Sequence, residues 1–75
     1  NIMLTMPVAA ELNLNIYNTK GQLVRNLHSG NVAQGTHSFT WNGKDDKGNT
    51  VASGIYFYTA TSGNQTQTRK MLMMK

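Results

Sequence analysis

Residues 35–58 read GTHSFTWNGKDDKGNTVASGIYFY, and this stretch decides the fold. A strand running into Trp41 is followed by a glycine-punctuated polar excursion and then by a second strand with alternating aromatics. Both phenylalanines, two of the three tyrosines and the only tryptophan of the chain fall inside it. His37, Phe39 and Trp41 share one phase of a period-two pattern. Tyr56, Tyr58 and Ala60 share another, with Ile55, Phe57 and Thr59 on the opposite face. Phe39, Trp41, Tyr56 and Tyr58 are therefore expected in the core. The segment from Asp45 to Gly54 is expected to be turn chemistry that lets the chain change sheets.

Working outward, every flanking segment also reads as strand. Ile2 to Met6 is a short apolar run closed by Pro7, which lacks an amide donor and suits a strand end or edge. Glu11 to Tyr17 alternates Leu12, Leu14 and Ile16 against Asn13, Asn15 and Tyr17, the pattern of a half-buried strand. Asn18-Thr19-Lys20-Gly21 is a turn with Gly21 placed for a positive φ, and Gln22 to Leu27 is its hairpin partner. There Val24 competes with Leu23 and Leu27 for the inward face, which calls for a bulge or a shifted register. Ser29-Gly30-Asn31 and Gln34-Gly35 bracket a loop. Thr50-Val51 makes a two-residue strand, and Ser62-Gly63-Asn64 turns the chain into a last strand over Thr66 to Lys75. With no helical period, the expectation is an all-β, seven-stranded antiparallel Ig-like or fibronectin III-like β-sandwich.

Composition narrows the function classes. The 75 residues suit one domain, and a chain of this size buries only roughly 60% of its unfolded surface. Cysteine is absent, so no disulfide or thiolate–metal staple supplements the core. The net charge of +4 comes from seven basic residues against three acids. The bases are scattered without interleaved aromatics, which argues against nucleic acid as a partner. No apolar run approaches the ~18–20 residues of a membrane span, so membrane insertion is not expected. The chain opens on Asn1, and the expectation is a single domain over residues 1–75 that is a fragment or the trimmed end of something longer.

No catalytic constellation emerges, and the expectation is a non-enzyme without cofactors. Asp45 and Asp46 are neighbours in a turn, whereas glycosidase chemistry needs carboxyls facing each other across a bond. As an EF-hand-like calcium loop, DDKGNT puts Lys47 or Gly48 where oxygen ligands belong, and an Asx-type turn fits better. His28 and His37 have no third metal ligand at a sensible spacing. Of the aromatics that could stack on a sugar, Tyr17 lies on the polar face of its strand. All five methionines fall in the first and last strands. Two neighbouring strands packed through thioethers would explain them, as would a partner covering an edge whose two faces are both apolar.

LNIYNTKGQLVRNL, the stretch 35–58 and the ending TRKMLMMK together resemble the C-terminal sorting domain of type IX secretion cargo. They also resemble the related Ig-like domain of the flagellar hook-capping protein. Ile16-Tyr17-Asn18, Gly21 and Val24 match the first strand-turn-strand. Gly35, Trp41-Asn42-Gly43, Asp45, Gly48, Ser53-Gly54-Ile55-Tyr56 and Tyr58 match the middle, and Lys70-Met71-Leu72 and Lys75 the end. The resemblance marks Gly21, Trp41, Gly43, Gly48, Gly54, Tyr56 and Tyr58 as fold-defining. It implies, as composition and pattern alone do not, that the chain forms the C-terminal part of a longer secreted protein. The domain would be recognised by an outer-membrane secretion machinery, appended to a preceding domain of the same polypeptide, at the surface of a Gram-negative cell or secreted from it. The signal would lie on Lys70, Met71, Leu72, Met73, Met74 and Lys75. Two alternatives stand beside this expectation. One is an accessory module that binds carbohydrate or packs on a catalytic neighbour; the other is a self-associating structural domain like that of the hook-capping protein.

Overall fold

The structure is a computed structural model that describes residues 2–74. Six strands appear among these residues: β1 (Ile2–Met6), β2 (Ala10–Tyr17), β3 (Leu23–Val32), β4 (Gly35–Phe39), β5 (Gly54–Ser62) and β6 (Gln65–Met73). All pairings are antiparallel. β1 and β4 form a two-stranded sheet, and the other strands form a four-stranded sheet in the order β3-β2-β5-β6.

The central strand β2 supplies the middle of the core. Its alternation sends Leu12, Leu14 and Ile16 to one face, where they are the most completely buried side chains. Tyr56 and Ala60 of β5 join them from the neighbouring strand, Ile2 comes from the other sheet, and Trp41 from the connection after β4. Leu4 and Phe39 pack against this cluster from β1 and β4. One apolar core is therefore shared by both sheets.

The bulge expected in the first hairpin is present twice. Register shifts lie between Leu14 and Asn15 and between Ile16 and Tyr17 on β2, so β3 carries an extra residue at Leu27 and again at Val24. Each bulge re-aims the strand, and both Val24 and Leu27 pack against the core while Leu23 faces solvent. The competition among these three side chains is resolved by two insertions. Gly21 in the preceding turn has φ +79°, a conformation that a Cβ disfavours.

Three expectations are corrected. Ser29-Gly30-Asn31 is strand, because the long β2 continues to pair with β3 through Ala10↔Val32. Thr50-Val51 does not form a strand: Thr50 makes only an isolated bridge to Lys44, and the Val51 amide donates to the Gly43 carbonyl at 2.9 Å. This local closure leaves six strands where seven were expected. Thirdly, β1 and β6 are not paired neighbours, because each belongs to a different sheet. Met6 is buried and Met71 and Met73 pack against the core, whereas Met3 and Met74 are exposed.

Trp41 lies beyond the end of β4, and its orientation depends on the polar excursion after it. The indole N–H donates to the Lys44 carbonyl at 2.8 Å, and the ring meets Tyr56 edge-on with centroids 5.1 Å apart. The Tyr56 hydroxyl donates back to the Ala52 carbonyl at 2.6 Å, a four-residue return similar to the tyrosine corner of Ig-like domains. The excursion itself is an Asx-type turn. Asp45 Oδ1 accepts from the Lys47 and Asn49 amides at 3.0 and 2.9 Å. The turn is also clipped to β3: the Asp46 amide donates to the Val24 carbonyl, the Asn26 amide to Asp46 Oδ1, and Arg25 Nη1 to the Asp45 carbonyl. It thus covers part of the β3 edge.

Leu14→Ala is expected to cost about 2–5 kcal/mol, a large share of the roughly 4–11 kcal/mol total expected for this length. A urea midpoint close to that of the parent chain would contradict the assignment of β2 as the centre of the core. Asp46→Ala removes the acceptor for the Asn26 amide, so that amide should exchange with solvent faster while amides in β5 keep their protection. Unchanged exchange at Asn26 would show that the clip contributes nothing.

Candidate functional site

The strand that was expected to carry a signal is β6, at one edge of the four-stranded sheet and paired only with β5. Its alternation places Met71 opposite Tyr56 and Met73 opposite Gly54, both methionines packing against the core. Lys70 and Leu72 point to the outer face, opposite Phe57 and Ile55. Met74 follows the strand and is exposed, and Lys75 lies outside the described residues. Half of this segment is therefore scaffold.

The fold-defining residues have structural tasks. Trp41 and Tyr56 are buried, and Tyr58 packs at the margin of the core. Gly43 has φ +76°, and a Cβ there would sit 3.5 Å from the Met73 sulfur, so the constraint is backbone conformation more than space. Gly48 closes the Asp45 turn with its amide on the Asp45 carbonyl at 3.0 Å. Gly54 opens β5.

The candidate chemical groups are placed as follows. Asp45 and Asp46 each give Oδ1 to backbone amides. His37 Nε2 lies 2.7 Å from the Ala33 carbonyl oxygen, and His28 stacks obliquely on Phe39 with centroids 5.2 Å apart. Among the described residues no three His, Cys, Asp or Glu side chains come together to hold a metal ion.

The outer face of the four-stranded sheet is where side chains gather without a structural task. Cross-strand register lines up Leu23, Tyr17, Phe57 and Lys70 in one row across all four strands. Ile55 and Leu72 form the next pair along. Leu23, Ile55 and Leu72 are 55%, 44% and 65% exposed, and none of the five apolar side chains belongs to the core cluster. The other end of the same face is polar and self-satisfied. Asn26 Nδ2 donates to Asn15 Oδ1 at 2.7 Å, Ser29 Oγ donates to Asn13 Oδ1 at 3.1 Å, and the Thr59 and Thr68 hydroxyls lie 3.2 Å apart. Sequence reading singled out Tyr17 in this patch as an exposed aromatic, and Lys70 and Leu72 only as part of the signal expected on the last strand. The available signal was that β5 is apolar in both phases near its start, so that Ile55 and Phe57 had to face away from Tyr56 and Tyr58.

Comparison with known proteins sets this geometry among relatives. The FlgD Ig-like domain family matches residues 1–66. The basal-body rod modification protein FlgD of Salmonella typhimurium is 38% identical over 56 residues, covering 75% of this chain and 24% of that protein. The Salmonella typhi protein of the same name matches equally. The crystal structure of FlgD from P. aeruginosa superposes with a TM-score of 0.74 at 32% identity, over 93% of this chain and 54% of that one. The chain thus spans about a quarter of the length of these curated relatives. These matches overturn the expectation of a type IX sorting domain read by an outer-membrane machinery, because they fall on the hook-capping side of the resemblance. The physical reason is that the quoted motifs are buried aromatics and turn glycines. They report the scaffold that both kinds of domain share and cannot separate their uses. By its match over 66 residues, the chain belongs to the FlgD Ig-like domain family.

Proposed function

We propose that this chain is a non-catalytic, self-associating structural module of a flagellar rod- or hook-assembly protein, and that its two sheets act as an Ig-like sandwich. The observation that carries this reading is the family match over residues 1–66 together with relatives named as basal-body rod modification proteins. The geometry supports it in two ways. The only acids near one another, Asp45 and Asp46, are used to hold backbone amides, and among the described residues the outer face of the larger sheet offers an apolar patch and no cleft with convergent reactive groups. The domain is read as one part of a longer polypeptide of a Gram-negative cell, working outside the cytoplasm beside the preceding domain of the same chain. Lys70 to Met73 then serve as part of an edge strand of the scaffold.

The test is made in the source bacterium. In-frame removal of residues 1–75 from the encoded protein should leave cells without hooks in electron micrographs and without swimming in soft agar. Hooks of ordinary number and length after the deletion would overturn the assignment.

A further inference from the structure

We infer that the Asn42–Gly43 bond is a self-modification site. There the chain converts Asn42 through a succinimide to isoaspartate or aspartate, and the isoaspartyl product releases the anchor of Trp41. This chemistry is independent of the flagellar reading, which neither requires it nor supplies it.

Chain order selects the residue. Asn42 is the only asparagine followed by glycine; all the others precede Ile, Leu, Thr, Val or Gln. The reaction begins when the amide nitrogen of the following residue attacks the asparagine Cγ, and a side chain on that residue obstructs the approach. Gly43 carries no Cβ to do so.

The local geometry prepares the attack. Asn42 is exposed, so water and hydroxide reach its carboxamide. The Lys44 amide donates to Asn42 Oδ1 at 3.2 Å, an Asx turn that folds the carboxamide back over the Gly43 peptide. A donor already in place on Oδ1 also stabilises the charge that this oxygen takes up during the attack. Hydroxide removes the Gly43 amide proton, the bond from that nitrogen to Cγ forms, the Cγ–Nδ2 bond breaks, and Nδ2 leaves as ammonia. Water then opens the ring on one of two sides. Cleavage between the nitrogen and Cγ gives aspartate at position 42. Cleavage between the nitrogen and the Asn42 main-chain carbonyl carbon gives isoaspartate, with the chain rerouted through Cβ and Cγ.

The two products act differently on the core. The Trp41 indole N–H reaches the Lys44 carbonyl at 2.8 Å, across the modified peptide, and the Gly43 carbonyl accepts from the Val51 amide at 2.9 Å. An extra main-chain carbon between these points changes the spacing on which both bonds depend. Aspartate leaves the main chain as it was and keeps an oxygen for the Lys44 amide. Only the isoaspartyl form therefore loosens the indole that packs edge-on against Tyr56.

The whole chain, held for days in mildly alkaline buffer, should accumulate species with one added negative charge on ion exchange, faster as the pH is raised, with release of ammonia. Peptide mapping should place the change at Asn42, and isoaspartyl methyltransferase should label part of the product. The isolated isoaspartyl form should unfold at a lower urea midpoint than the parent, with red-shifted tryptophan emission. Asn42→Asp should keep the midpoint and emission of the parent. Asn42→Ser, which retains a side-chain oxygen for Lys44 but has no carboxamide, should form none of the acidic species. A chain that stays unmodified, reaction chiefly at another asparagine, or an isoaspartyl form with the midpoint and emission of the parent would each overturn the inference.

Discussion

Everything in this domain depends on covering the inner face of β2. Leu12, Leu14 and Ile16 stand in a row on the central part of a four-stranded sheet, and a sheet with one uncovered apolar face is not stable in water. The cover is assembled from pieces that could not stand alone, the two-stranded β1–β4 sheet and the indole of Trp41, which meets the Tyr56 ring of the covered sheet. With no disulfide available, non-covalent closure has to hold this core. The hydrogen bonds around Trp41 and Tyr56 explain why residues 35–58 are so constrained. They hold two large rings on a core whose cover is small.

The same economy governs the edges. A four-stranded sheet has two, and this chain treats them differently. At β3, two bulges bend the strand and the Asp45–Asp46 turn hydrogen-bonds to it, occupying backbone groups that would otherwise be open to pairing. At β6, the chain leaves a nine-residue strand paired on one side only, with Arg69 and Lys70 as charges that oppose unspecific strand addition. Charge therefore replaces covalent or hydrogen-bonded protection at that edge.

Family membership changes how the motifs are understood. Gly21, Gly43, Trp41 and Tyr56 are needed because two turns require positive φ and one core requires rings of a certain size and reach. Such requirements belong to the scaffold. They are why a scaffold-level resemblance could point at once to a sorting domain and to a flagellar one, and why only the relatives distinguish the two. The residues that differ in use among domains of one fold are those on the outside. Here these are the apolar outer face and the free edge.

Much of the fold was legible in the chain itself. The alternation in β2 identified its buried side chains, Asn18–Gly21 identified the hairpin, the phase of Tyr56, Tyr58 and Ala60 identified the inner face of β5, and Asp45 identified an Asx turn. These are local properties, set by the period of the strand and the conformational limits of a few residues. What only the tertiary structure decided is non-local. Strand pairing continued β3 through Ser29–Asn31, the closing of the 43–51 loop on itself removed a seventh strand, and sheet assignment separated the two methionine-bearing strands. The outer-face row of Leu23, Tyr17, Phe57 and Lys70 comes from three registers acting together. No segment of the sequence contains a register, because it is settled between strands by bulges and by which face the core demands.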